Sequence, residues 1–336
     1  MPAASRIVSE VDFTRDGKQH GYLRLFHSVH ASAYGFIPIP VVVIRNGEGP
    51  TALFVAGNHG DEYEGQVALA NLARRLDPAR IRGRVILLPA ANLPAAVAGR
   101  RTSPLDEGNL NRSFPGDPDG TVTQQIAYYI EHALVPLADL VCDLHSGGSS
   151  LMYLPSAQLP GYRPDGSSAP GIAALKAFAA ENAYIVEANQ GGDRTLAGAC
   201  ARAGVLSLGT EAGGAGHVTA VALRMVERGV VNLLVHLGIL PESDRIAAPT
   251  PTRYLEVGGA EYYVYAPDNG LYEPLAELGE SVMSGQPAAR IHFPETPWAE
   301  PVMVPFLHKG IVLCKRMPGR TMRGDCLFHL GTEVAV

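Results

Sequence analysis

Four short segments carry side chains that could do chemistry together. In Val55-Ala56-Gly57-Asn58-His59-Gly60-Asp61-Glu62, an imidazole and a carboxylate stand three residues apart after an apolar run. On one helical turn that spacing brings His59 and Glu62 to the same side, where both can bind one divalent ion. The pair alone is a weak signal, and a loop histidine beside a helix-start glutamate is its commoner meaning. In Asp139-Leu140-Val141-Cys142-Asp143-Leu144-His145-Ser146-Gly147-Gly148, a second imidazole ends an apolar run. Ligands of α/β sheets gather at the carboxyl ends of strands, so His59 and His145 can converge. Two histidines and one glutamate leave the fourth position of zinc open, as in catalytic sites. They would also accept other divalent ions. Period-two alternation puts Asp143 on the face of His145. It either orients a ligand imidazole or pairs with an arginine.

The third segment, Leu208-Gly209-Thr210-Glu211-Ala212-Gly213-Gly214, again ends an apolar run in one acid beside glycines. A carboxylate there could take a proton from water beside the ion and hand it to a leaving amine. A helix-capping role is the alternative for Glu211. The fourth, Gly108-Asn109-Leu110-Asn111-Arg112-Ser113-Phe114-Pro115-Gly116, is a Gly/Pro-rich loop. Asn111 and Arg112 offer an amide and a bidentate fork for a carboxylate. Upstream, Arg100 and Arg101 could polarise a carbonyl, or form part of a solvated basic loop.

Alternating strands and helices must position these groups. The runs Val41–Ile44, Ala52–Val55, Val85–Leu88, Leu140–Cys142 and Val205–Leu208 read as buried strands. Leu69, Leu72, Ala73 and Leu76 recur at helical spacing, as do Val226, Val230, Leu233 and Leu237. Thr121 opens a helical stretch to Leu134 with an N-capping hydroxyl. The pattern predicts an α/β fold with helices on both faces of the sheet. Pro241 and the Ala247–Pro251 run break it. Beyond lie short Tyr/Val/Ile-rich runs between Gly and Pro turns, predicting a small all-β domain. The boundary is set between residues 245 and 246, and the stretch before Pro40 receives no role.

The chain has 336 residues, 27 basic against 33 acidic, a formal charge of −6, and 46% hydrophobic residues. That composition excludes general disorder, and the mild acidity gives no footprint for nucleic acid. Val230–Leu240 is too short and too interrupted to span a bilayer, and the N-terminus lacks the apolar stretch of a signal peptide. The four cysteines show no Cys-x-x-Cys pairing, as expected of a cytoplasmic protein. Unpaired strand edges in the C-terminal domain make a homo-oligomer a candidate state.

The four segments, in this order, resemble the succinylglutamate desuccinylase and aspartoacylase family, a branch of the zinc carboxypeptidase-like fold with a mixed sheet. The similarity spans roughly Pro40 to Leu240. It implies one zinc ion bound by His59, Glu62 and His145, with Glu211 as general base and acid. It also implies Asn111 and Arg112 on the substrate's α-carboxylate, and Arg101 on the scissile amide. Within the family, Gly17–Gly21 and Arg101–Pro104 resemble the N-acetyl-diaminobutyrate deacetylases of ectoine breakdown. The substrate so implied is a small N-acyl amino acid. Succinylglutamate and N-acyl-aspartate are the alternatives, and Asp193 or Arg194 could supply a specificity charge of either sign. A carboxypeptidase and a non-catalytic metal-binding module are the rival readings. Leu278–Pro287 resembles a turn of a biotinyl- or lipoyl-type barrel without a carrier lysine, so the C-terminal domain is read as a cap. The family places a tyrosine from this domain in the site, and Tyr262, Tyr263, Tyr265 and Tyr272 are the candidates.

Overall fold

The computed structural model describes residues 4–163, 165–186 and 192–336. The chain opens with β1 (Ile7–Ser9), β2 (Gly17–Phe26) and β3 (Phe36–Asn46), which pair antiparallel. They give the first forty residues a place at one edge of the sheet. Next come β4 (Thr51–Ala56), α1 (Tyr63–Arg75), β5 (Gly83–Leu88), α2 (Leu93–Ala98), α3 (Val122–Tyr129) and β6 (Leu140–His145). Then follow β7 (Leu151–Tyr153), β8 (Ser156–Pro160), α4 (Ala169–Phe178), β9 (Asn182–Val186), α5 (Leu196–Ala203), β10 (Leu206–Glu211) and α6 (Ala220–His236). The C-terminal part holds β11 (Arg253–Val257), β12 (Tyr263–Tyr265), β13 (Gly270–Pro274), β14 (Ser281–Val282) and β15 (Pro287–His292). It ends with β16 (Val302–Pro305), β17 (Gly310–Arg316), β18 (Arg320–Thr321) and β19 (Cys326–Glu333).

The large sheet runs β1-β2-β3-β5-β4-β6-β10-β8-β9-β11-β19-β17-β14. Its centre, β5-β4-β6-β10, is parallel, while β8 runs antiparallel to β10. The sheet is therefore mixed. β4 and β6 are buried at every residue, which requires cover on both faces. Phe54 and Cys142 pack on one face with Leu69 of α1 and Val226 and Val230 of α6. Leu53, Val55 and Val141 pack on the other with Ile126 of α3 and Leu196 of α5. Thr121 caps α3 in a reciprocal capping box with Gln124, and the helix then widens into a π turn over Ile130–Leu134. No helix among the described residues is long and apolar enough to cross a membrane.

The expected boundary falls between α6 and β11, yet the hydrogen-bonded ladder continues across it. β11 lies parallel to β9 and antiparallel to β19. In the other direction, β7 leaves the N-terminal α/β region and pairs antiparallel with β17. A separate four-stranded sheet, β16-β15-β13-β18, completes the C-terminal region. The Leu278–Pro287 segment there contains the two-residue β14 and the turn into β15.

α4 and α6 meet where Gly229 faces Phe178, and a Cβ on Gly229 would lie 2.1 Å from the ring. Core side chains have no room to retreat from such an overlap. G229A should therefore lower stability by about 1–3 kcal/mol in denaturant melts.

Candidate active site

β4, β6 and β10 run parallel and end together, with Glu211 in register opposite His145 and Gly209 opposite Asp143. The groups singled out from sequence therefore collect at one sheet edge, where the carboxyl ends of parallel strands leave a crevice. His59 and Glu62 do not share a helical turn, as their spacing suggested. Glu62 has extended backbone (φ −107°, ψ 101°) and precedes α1. A tight turn, with the Glu62 N–H 3.4 Å from the His59 carbonyl, brings the two side chains together instead.

The Glu62 carboxylate sits between both imidazoles. Its Oε1 lies 2.7 Å from His59 Nδ1 and its Oε2 lies 2.7 Å from His145 Nδ1. All three residues are buried, and their ligand atoms lie within 4.8 Å of one another. The outer ring nitrogens are held as well. His59 Nε2 is 3.1 Å from Asn109 Oδ1, and His145 Nε2 is 2.8 Å from Asp143 Oδ2. Asn58 donates to the other Asp143 oxygen at 2.7 Å. Such outer partners fix ring orientation around a metal. Both Nδ1 atoms thereby face Glu62, one on each of its oxygens. The donor set, its convergence and its outer supports fit a divalent ion with an open coordination position.

The electrostatics follow from this packing. Burial lowers the pKa of His59, although Glu62 opposes it. Burial also disfavours charge on His145, but Asp143 and Glu62 together outweigh it and raise that ring well above its usual value. The difference is that His59 has a neutral amide, and His145 a second carboxylate, at its outer nitrogen. For Glu62, burial is outweighed by the two histidines, which hold its carboxyl well below the usual range. Glu211 is the opposite case. Burial first, then the charge of Glu62, pushes it up to about 8. Its Oε2 is buried without a hydrogen-bond partner among the described residues.

Arg101 leans over this centre, its Nη1 3.4 Å from Glu62 Oε1. The Asn111 Oδ1 accepts from the N–H of Leu196 at 2.9 Å, and its Nδ2 is 2.8 Å from His145 Nε2. Burial, then the nearby charges of Arg101 and Arg194, lower the pKa of Arg112. That concentration of guanidinium charge suits an anion. His59, Glu62, Arg101, Asn111, Arg112, Asp143, His145 and Glu211 all line one cavity of about 400 Å³. Asp193 and Arg194 do not; they are exposed in the 3-10 turn before α5.

Tyr262, Tyr263, Tyr265 and Tyr272 are likewise absent from the described lining. Tyr262 stacks on His308, Tyr263 on His329 and on Tyr265, and Tyr272 meets Phe328 edge-on. The tyrosine that does line the cavity is Tyr153 of β7, which the C-terminal β17 holds in place. Gln158 and Thr195 also line it, and Asn109 supports His59, all without a role in the sequence reading. A signal for Gln158 existed: Ser156, Gln158 and Pro160 alternate with the buried Ala157 and Leu159.

Comparison with known proteins agrees with this geometry. The succinylglutamate desuccinylase/aspartoacylase catalytic domain family matches residues 48–237. The N-alpha-acetyl-L-2,4-diaminobutyric acid deacetylase of Halomonas elongata is 42% identical over 323 residues, covering 96% of this chain and 94% of that protein. The product-bound ectoine utilization protein EutE (DoeB) from Ruegeria pomeroyi superposes with a TM-score of 0.94 at 38% identity, covering 98% of this chain and 100% of that one. A succinylglutamate desuccinylase/aspartoacylase from Rhodobacter sphaeroides superposes with a TM-score of 0.91 at 39% identity, covering 98% and 100% respectively. With this domain match, this identity along nearly the whole chain and the three converging strand ends, the protein belongs to the succinylglutamate desuccinylase/aspartoacylase family.

Proposed function

We propose that this chain is a zinc-dependent amidohydrolase that removes the acetyl group from N-acetyl-2,4-diaminobutyrate. The observation that carries the reading is one cavity holding the His59–Glu62–His145 donor set beside a buried Glu211 oxygen that has no hydrogen-bond partner among the described residues. Likeness to the Halomonas elongata deacetylase supports the substrate. So does the charge of the lining. Arg101 and Arg112 are the cations among the described lining residues, and residues 187–191 contain no Lys or Arg. One carboxylate and one developing oxyanion occupy both guanidiniums. A succinyl or aspartyl substrate would bring a further carboxylate with no cation to meet it. The cavity volume favours a small acyl amino acid over a peptide. A pure metal-binding module would have no use for Glu211, whose burial with an unpaired oxygen is unfavourable. Four free cysteines support a reducing, cytoplasmic setting.

A divalent ion held by His59, Glu62 and His145 would supply Lewis acidity, polarising the acyl carbonyl and making water more acidic. Arg112, with Asn111, grips the α-carboxylate and so orients the amide before reaction. Glu211 takes a proton from water at Oε2 as the water oxygen attacks the acyl carbon. Arg101 faces the oxyanion that develops. Glu211 then returns the proton to the departing nitrogen, the C–N bond breaks, and acetate and the free diamino acid leave. Asp143 and Asn109 keep the two rings aimed throughout.

These roles separate in measurement. Glu62→Ala should abolish stoichiometric binding of one zinc per chain, as read by elemental analysis after dialysis. Glu211→Gln should keep the metal and lower kcat by roughly two to four powers of ten. As a base, Glu211 must be unprotonated, so kcat/KM should climb with pH as its carboxyl ionises. A bound cation favours the carboxylate and moves that limb below the metal-free value of about 8. The limb should vanish in Glu211→Gln. Arg112→Ala should raise KM about a hundredfold while kcat falls less.

A further inference from the structure

The floor of the cavity carries a slot that the steps above leave unused. Asp143 of β6, Gly209 of β10 and Gln158 of β8 lie in one register row across the sheet. Directly paired residues share a face, so all three belong to the face that carries Glu211, and all three line the cavity. Gly209 has no side chain, so the row holds a gap one strand wide between Asp143 and Gln158. The Gln158 carboxamide oxygen leans over that gap, 3.1 Å from where a Cβ on Gly209 would sit. Both neighbours are accounted for: Asp143 by Asn58 and His145, Glu211 by proton transfer. The Gln158 carboxamide makes no hydrogen bond among the described residues, although it is half-buried.

The cavity is also divided by charge. Arg101 and Arg112 come from the loop side, whereas the strand floor offers Asp143, Glu211 and the Gln158 oxygen. With the amide at the metal donors and the α-carboxylate at Arg112, the floor receives the third substituent of the α-carbon. We propose that Gln158 is a specificity-determining residue whose carboxamide oxygen, over the Gly209 gap, accepts from the distal ammonium of the substrate. This rests on the diaminobutyrate reading above. Two carboxylates bordering the gap add the potential that favours a cation.

The test compares kcat/KM for N-acetyl-2,4-diaminobutyrate with that for N-acetyl-2-aminobutyrate, which lacks the amine. The wild-type enzyme should prefer the diamine. Q158L should lower that preference by about ten- to a hundredfold, chiefly through KM for the diamine, because a charge-assisted hydrogen bond is lost. Q158E should keep or raise it. A preference in Q158L within twofold of wild type overturns the proposal, as does a loss in Q158E equal to that in Q158L. Should Q158L fail to fold, G209A serves: its methyl displaces the carboxamide oxygen and must lower the preference too, and an unchanged ratio overturns the assignment. A wild-type enzyme that favours N-acetyl-aspartate or succinylglutamate overturns the function reading itself, before any variant is made.

Discussion

A single buried carboxylate organises this protein. Glu62 holds one imidazole on each oxygen, and the arrangement is tenable in the interior only because the charges balance locally. An isolated carboxylate there would bear a desolvation penalty of several kcal/mol. The histidines relieve it, and their outer nitrogens must in turn be met by Asn109 and Asp143. Each of these partners comes from a different part of the chain. The alignment of β4 and β6 is thus a condition for Glu62 to be charged at all. The same field makes Glu211 reluctant to ionise without a cation nearby, which ties its usefulness as a base to the occupancy of the neighbouring donor set.

The glycines at the ends of these strands serve that alignment. The loops after β6 and β10 interlock closely: a Cβ on either Gly147 or Gly214 would lie 2.2 Å from the Leu151 carbonyl. Gly214 also has φ +136°, a region that side chains avoid. The Gly147 N–H and the Tyr153 N–H both donate to the Gly213 carbonyl at 3.0 Å. Close backbone approach here locks the strand bearing His145 to the strand bearing Glu211.

Much of this was readable from sequence, for identifiable reasons. Mostly apolar runs leading to His145 and Glu211 signal buried parallel strands whose last residue emerges at the ligand-binding edge. Alternation placed Asp143 beside His145, and the hydroxyl at Thr121 marked a helix start that the structure caps as expected. His59 and Glu62 were paired through the wrong local geometry, since a tight turn and a helical turn both bring residues three apart together. Asn109 escaped notice because an amide carries no signal until its neighbour is known, whereas Gln158 had a period-two pattern that marks its face but not its partner. β7 is three residues long, too short for periodicity, and its partner lies more than a hundred and fifty residues away. None of the four tyrosines expected from the C-terminal region is among the described lining, whereas Tyr153, held by that region without belonging to it, is.

The crossing of β7 and β11 has a mechanical corollary. One connection would let the two regions swing about it like a door. Here the ladder is stitched twice, once outward through β7 to β17 and once inward through β11 to β9. Opening the seam would break both sets of backbone bonds at once and tear Tyr153 from the wall it forms. The wall that carries Tyr153 is therefore a fixed side of the chamber, held at two places in the ladder.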